Sequence, residues 1–306
     1  MRQRLRTIGF AGATAGVIAG LAAGLAAPAG AVDSPTLQRI AATATVRLGH
    51  REASVPFSYY ADARRVVGYS HDIMMLVVGA LRSRLQLPAL TIELVPVTSQ
   101  NRIPLLVNGT VDLECGSTTH NVDRERKVAF SNTIFIVGTR LLTHRGSGIG
   151  DFPDLAGKRV VVTAGTTPER LLRKYKEERG LAMTIVSAKD HDESFHMLET
   201  GVVQAFVMDD ALLYGRRARA ADPQQWVVTG TALSSEAYAC TLRRDDPDFK
   251  KLVDDTIAEI MTSGRALELY ARWFTQPIPP QDVNLNWPVS ERLRQLFAAP
   301  NDRPLE

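Results

Sequence analysis

The chain has 306 residues, 45% of them apolar and 23% charged, with a net charge of +3. This is the composition of an ordinary soluble globular protein, long enough for one large domain or two small ones. No Lys/Arg block is interleaved with aromatics, so nothing points to nucleic acid as a partner.

Arg2, Arg4 and Arg6 form a basic start, followed by a Gly/Ala-rich apolar stretch from about Ile8 to Ala27 and the small-residue pattern Ala29-x-Ala31. This reads as a secretory signal peptide cleaved after Ala31, residues 1–31. A transmembrane anchor is the competing reading, but the stretch is weakly hydrophobic and ends in a cleavage pattern. No cysteine at the junction invites a lipid anchor. An exported chain with Cys115 and Cys240 can form one disulfide; two buried thiols are the alternative.

Beyond the leader, strand-like and helix-like segments alternate, the signature of an α/β fold. Val46–His50 reads as a strand. Ser70 is placed to cap a helix over 71–87, with Ile73, Leu76, Val77, Ala80 and Leu81 on one face. Thr91–Val97 is a strand, Ile103–Val107 a short helix ended by Asn108-Gly109, and Val111–Glu114 a strand. An apolar strand-like run, Phe135–Thr143, leads to the flexible link from His144 to Gly148.

A second series follows. Arg159–Thr163 is a strand, Pro168 opens a helix to about Arg179, Met183–Ser187 is a strand, Asp192–Thr200 a helix and Val203–Met208 a strand. Leu106-x-x-Gly109-x-Val111 recurs as Leu198-x-x-Gly201-x-Val203, which suggests two similar lobes. Glu236–Leu242 is again strand-like. Pro247 opens a long helix that Ser263-Gly264 breaks, and Leu267, Tyr270 and Phe274 share the face of the next. The Pro-rich tail from Gln276 is expected to wrap the surface, with Trp273 and Trp287 as packing residues.

Open α/β sheets bind ligands beyond the carboxyl ends of their strands. There the first series places His50-Arg51-Glu52, then Thr98-Ser99-Gln100-Asn101-Arg102, then Ser117 to Arg124. The second places Gly165-Thr166-Thr167, Lys189-Asp190-His191 and Asp209-Asp210. Guanidinium forks grip carboxylates bidentately, and three arginines gathered in one pocket call for an anion with more than one acidic group. One acid, Asp209 or Asp210, suits an ammonium. Two carboxylates and one ammonium describe aspartate or glutamate. The plain alternatives are surface pairs: Arg51 with Glu52 or Asp62, and Arg124 with Asp123 or Glu125, with His191 as a mere helix cap and Thr166 and Thr167 as turn residues.

The stretches GHREASVPFSYY (49–60), VTSQNRIPLLVNGT (97–110), ECGSTTHNV (114–122), FIVGTRLLT (135–143), VVVTAGTTPE (160–169), SAKDHDESF (187–195) and MDDALL (208–213) carry a resemblance. So does the spacing of Arg124 to Phe130-Ser131. With these residues the chain resembles the periplasmic solute-binding proteins of polar amino acid ABC transporters, most nearly their glutamate/aspartate-binding members, from about Val46 to the tail at 300–302. His120 stands where a neutral polar residue is expected.

The resemblance implies a type II periplasmic-binding-protein fold: two similar α/β lobes joined by two hinge strands, near 135–144 and 231–238. Lobe 1 would comprise 32–143 and 237–306, and lobe 2 would comprise 144–236. It also implies roles. Arg124, with Ser117, Thr119 and Thr167, would hold the α-carboxylate. Asp209 would receive the ammonium, with Asp210 in reserve. Arg51, Ser99, Arg102 and His191 would hold the side-chain carboxylate. The implied partners are glutamate or aspartate and an inner-membrane ABC permease, for a periplasmic protein acting as a monomer without cofactor or metal. The rival is a dehydratase-like enzyme on the same fold using His191 and Glu52, although no catalytic constellation, metal-type spacing or phosphate loop is evident.

Overall fold

The computed structural model describes residues 34–305, so the leader expected over residues 1–31 lies outside the described residues. The first helix, α1 (Pro35–Thr43), was not anticipated, yet its start is well signalled. The Ser34 hydroxyl accepts from the Leu37 N–H at 3.1 Å, and Pro35 fills the first turn where no amide needs a partner. Strand β1 (Thr45–His50) follows. Three short strands, β2 (Ala53–Ser54), β3 (Ser58–Tyr60) and β4 (Val66–Val67), then form a small antiparallel sheet of their own.

Helix α2 (Tyr69–Leu85) begins two residues earlier than the Ser70 cap predicts. Gly68 takes the cap position at φ +136°, and the Ser70 hydroxyl donates to the Gly116 carbonyl at 2.7 Å. A side chain at 68 would strike the Phe57 carbonyl, so the position needs glycine for both space and dihedral. The chain continues through β5 (Thr91–Pro96), α3 (Arg102–Val107), β6 (Leu113–Glu114), β7 (Thr119–His120), α4 (Val122–Glu125) and the ten-residue β8 (Val128–Val137).

After Gly138 the chain enters a second sheet. Its elements are β9 (Thr139–His144), β10 (Arg159–Thr163), α5 (Thr167–Arg179), β11 (Thr184–Ala188), α6 (His191–Glu199), β12 (Ala205–Asp209), α7 (Asp210–Ala218) and β13 (Trp226–Thr229). Residues 230–235 lead back to the first sheet and to β14 (Glu236–Arg243), α8 (Pro247–Thr262), α9 (Arg265–Tyr270) and α10 (Glu291–Ala298). Thus the Pro-rich tail does hold one helix. Among the described residues no helix is long and apolar enough to cross a membrane.

The first sheet runs β5-β1-β6-β14-β7, with β8 also on β14; the second runs β11-β10-β12-β9-β13. In each, three strands pair in parallel, β1 with β5 and β6, and β10 with β11 and β12, and one strand next to a crossover is antiparallel, β14 on β6 and β9 on β12. Two like α/β lobes result. Strand β9 pairs with β12 from Thr139 onward, so the passage into the second sheet falls at Gly138, earlier than the expected boundary at 143/144.

The core of the first lobe is aromatic. Phe135 packs on Phe274 at 4.8 Å and on Phe57 at 4.9 Å between ring centroids, and Phe57 meets Tyr238 at 5.2 Å. Trp273 is buried with its indole N–H donating to Asp72 at 2.8 Å, and Trp287 packs against Phe274, so both serve packing.

The lobes are shut on one another. Arg216 of α7 donates to the Ala53 carbonyl of β2 while pairing with Asp192. Behind it, Gly215 lies so near the Val55 backbone that a Cβ would run into that carbonyl.

Cys115 and Cys240 form a disulfide that resolves the open alternative, joining the end of β6 to β14 across a separation of 125 residues. Closing a loop of that length restricts the unfolded chain, and such bonds contribute about 2–5 kcal/mol. Urea titrations with and without reductant should therefore differ by about that much in unfolding free energy. Coincident midpoints would show that the bond contributes nothing.

Candidate functional site

The site begins where strands end. Arg51 follows β1 directly; its backbone N–H donates to Ser58 Oγ at 2.9 Å and its Nη1 to Ser117 Oγ at 3.3 Å. Arg102 opens α3, aimed by a reciprocal turn in which Thr98 N–H donates to Asn101 Oδ1 at 2.7 Å and Asn101 N–H to Thr98 Oγ1 at 3.2 Å. Its Nη1 donates to the Ser117 carbonyl at 3.1 Å and to Thr118 Oγ1 at 2.6 Å. Arg124 lies in α4, which Asn121 caps, and donates from Nη1 to the Thr119 carbonyl at 2.7 Å. Its Nη2 reaches across to the Gly165 carbonyl of the other lobe at 3.3 Å.

The second lobe answers with the turns after β10, β11 and β12. Gly165, at φ +78°, sits against Gln100, and a Cβ there would come within 2.8 Å of Gln100 Cγ. Thr166 caps α5, placing Thr167 at its first turn. Asp190 caps α6, placing His191 at its start, where Nδ1 meets Thr163 Oγ1 at 2.8 Å. Asp209 ends β12. It accepts from the Tyr238 hydroxyl and, at 3.3 Å, from Thr139 Oγ1. Asp210 is turned elsewhere: its Oδ1 accepts from Ala211 N–H at 2.8 Å and Gly138 N–H at 3.3 Å, at the crossover.

Arg51 and Arg102 are only 3% and 2% exposed, yet among the described residues neither they nor Arg124 form an ion pair with an acid. The surface-pair alternatives are thereby excluded. Burial is the main cause that lowers all three guanidinium pKa values, Arg51 to about 10 and Arg124 to about 9, and the charge of Arg102 presses on both. All remain cationic at neutral pH. Burial, with Arg51, Arg216 and Arg102 nearby, pushes His191 well below its usual range, and burial with Glu236 nearby pushes Asp209 well above its own.

Ser99, Arg102, Thr167 and His191 each keep one buried polar atom without a partner: Oγ, Nε, Oγ1 and Nε2. Such orphans are rare in native interiors and costly where they occur. Ser117 and Thr119 complete the set, Ser117 between Arg51 and Arg102 and Thr119 beside Arg124. A cavity of about 560 Å³ is lined by Arg124 and Thr167 of this set together with Thr166, Glu169, Arg170 and Arg173. Glu52 is exposed, so it forms no acid–base pair with buried His191.

Reading strand ends missed an acidic floor. Glu114 lies at the end of β6; its Oε2 accepts from Thr118 at 2.7 Å and Thr241 at 2.9 Å, and its charge supports Arg51 and Arg102. Glu236 accepts from Thr119 at 2.7 Å, Ser234 at 2.7 Å and Thr139 at 3.0 Å, tying both crossovers to the pocket. The available signal was an acid within an otherwise apolar strand. Among the described residues no His/Cys/Asp/Glu group could hold a metal ion. The arrangement presents fixed donors from both lobes to a small zwitterion with more than one carboxylate.

The profile of the bacterial extracellular solute-binding proteins, family 3, matches residues 46–276. The glutamate/aspartate import solute-binding protein of Salmonella typhimurium is 55% identical over 270 residues, covering 88% of this chain and 89% of that protein. The L-glutamate/L-aspartate-binding protein of Pseudomonas aeruginosa is 53% identical over 272 residues, covering 89% and 90%. A solved ABC uptake transporter substrate binding protein from Streptococcus pneumoniae shares the fold at a TM-score of 0.70, with 20% identity over 78% of this chain and 95% of that one.

Closure packs the Gly215 face of α7 on the Val55 backbone, so Gly215→Ala should act as a wedge behind the pocket. Small-angle scattering of the variant should give a larger radius of gyration than the wild type in its closed arrangement. Identical profiles would show that closure does not need this contact.

Proposed function

The chain belongs to the bacterial extracellular solute-binding proteins of family 3, and from that premise we propose that it captures L-glutamate or L-aspartate outside the cytoplasm for import by an ABC permease. The observation that carries this reading is the set of orphaned buried atoms on Ser99, Arg102, Thr167 and His191, drawn from both lobes around guanidinium groups that have no acid of their own. The function is capture without bond-making. The relatives of high identity bear the names of import binding proteins.

In this reading Arg124, Thr119 and Thr167 take the α-carboxylate and Asp209 takes the ammonium. Arg51, Arg102, Ser99 and His191 take the side-chain carboxylate; Ser117, which the resemblance puts with the α-carboxylate group, bonds to Arg51 and Arg102 and so joins this second set. Asp209 is preferred to Asp210 because Asp210 is already engaged by two backbone amides at the crossover. The ligand meets one lobe first, and its remaining groups then reward the closed arrangement, shifting an open–closed equilibrium. The mature protein would work in the periplasm, after cleavage at Ala31, and present its closed form to the permease.

Removing one partner of a buried charged pair costs about 2–5 kcal/mol. Arg124→Ala should therefore lower affinity for L-aspartate and L-asparagine alike, by about 30-fold or more. Arg102→Ala should weaken L-aspartate far more than L-asparagine. Isothermal titration measures both, and equal losses for the two ligands would refute the division of roles. A thermal-shift screen across the amino acids tests the reading itself. It requires a selective rise with the two acidic ones and their recovery unchanged; a flat response or turnover would overturn it.

A further inference from the structure

His191 sits at the end of a hydrogen-bond chain whose proton order is fixed by its far end. The Ser194 hydroxyl donates to the Asp190 carbonyl at 2.8 Å, and a carbonyl can only accept. Ser194 Oγ lies 2.8 Å from Thr163 Oγ1 and has no second proton to give, so Thr163 must donate to Ser194. Thr163 then has no proton left for His191 Nδ1, also at 2.8 Å, and can only accept from it. The reverse order would set two hydroxyl lone pairs against each other. The ring proton therefore resides on Nδ1. In a neutral ring Nε2 is then a bare acceptor, and this is the buried atom left without a partner.

A carboxylate cannot be held by a bare acceptor. Resting on the reading that His191 meets the ligand's side-chain carboxylate, we propose that the Thr163–Ser194 chain pins the His191 proton to Nδ1, so that Nε2 can meet that carboxylate only as part of an imidazolium. Capture of an acidic amino acid then takes up one proton from solvent at Nε2. Thr163 and Ser194 act as positioning residues, setting which protonation state of His191 the ligand selects.

The surroundings make the free ring neutral. Arg51 after β1, Arg102 of α3 and Arg216 of α7 all press positive charge on it. On its own helix, Asp192 is paired with Arg216, Asp190 caps the helix through the Glu193 N–H, and Glu193 accepts from the Lys189 N–H. Strands β2 and β11 bring no titratable residue, β10 has only Arg159 at its exposed far end, and β12 ends in Asp209, engaged by Tyr238 and Thr139. Only an incoming carboxylate reverses this balance. It raises the ring's pKa in the complex above that of the free protein, so affinity is greatest at low pH. Affinity then falls by up to about tenfold per pH unit as pH rises between the two values. Asp209 works in the opposite sense, since the ligand's ammonium favours its ionised form. The total proton count is thus a sum, and the His191 ring itself must be observed.

The test is nitrogen-15 NMR of histidine-labelled full-length mature protein at pH 8, free and saturated with L-aspartate, with the His191 signals assigned by His191→Gln. The expected result is a neutral Nδ1–H ring in the free protein and an imidazolium in the complex. A complex whose His191 is a neutral Nε2–H ring overturns the proposal while leaving ligand capture intact. Failure of L-aspartate to bind overturns the functional reading and this one with it. Thr163→Val removes the acceptor on Nδ1, so its complex should hold the neutral Nε2–H form and lose the steep pH dependence of affinity; Thr163→Ser should restore both. An imidazolium persisting in Thr163→Val would show that the chain does not select the state. Should Thr163→Val fail to fold, Ser194→Ala serves instead, because it frees Thr163 to donate to Nδ1 and should likewise give the neutral Nε2–H ring.

Discussion

Like charges crowded out of water dominate this molecule. Arg51, Arg102 and Arg124 come together at the junction of two lobes, and each is held by hydroxyl and carbonyl oxygens in place of a paired acid. Carbonyl and hydroxyl dipoles orient a guanidinium without cancelling it. Glu114 and Glu236 lie behind the cluster and soften its repulsion, but their oxygens are largely committed to Thr118, Thr241, Thr119, Thr139 and Ser234. The uncancelled charge is what an incoming anion is drawn to, and an unpaired buried charge costs several kcal/mol until it arrives.

The scaffold keeps that cost tolerable by making the site from two bodies. Gly138 and residues 230–235 are the two crossings between the sheets. They press on each other closely, since a Cβ on Gly138 would lie 3.0 Å from Ala232 Cβ. Glu236 stands at one crossing and Thr139 at the other, and both bond toward the pocket. A change of lobe angle is therefore felt at Asp209 and Glu236, deep in the site, as well as at its rims.

Much of this was legible in the residues. Strands alternating with Gly-terminated helices located the strand ends, and the strand ends located the polar segments, because ligand groups in such sheets sit where backbone carbonyls stop pairing; the family resemblance picked the nine candidate side chains within them. What was missed follows from physics that a linear pattern does not display. Strands β2 to β4 are two or three residues long, too short to show a period. Helix α7 begins directly at the end of β12, so Asp210 reads as a second strand-end acid. Glu114, Glu236 and Tyr238 are polar groups inside strands, whose partners come from segments far away in sequence. Gly68 displaced Ser70 as the cap because the Phe57 carbonyl leaves no room for a side chain there.

The Cys115–Cys240 bond has a topological meaning beyond its contribution to stability. Strands β9 to β13, with the helices between them, all lie inside the ring of chain that it closes. The second lobe is thus a covalently enclosed insert, while the peptide outside the ring contributes only to the first. A single backbone cut anywhere in β9 to β13 would leave both pieces tethered, and tension applied at the two ends of the chain would bypass the second lobe altogether. An exchange of that lobe for another would be a change made within a loop, with the remainder of the molecule still stapled shut around it.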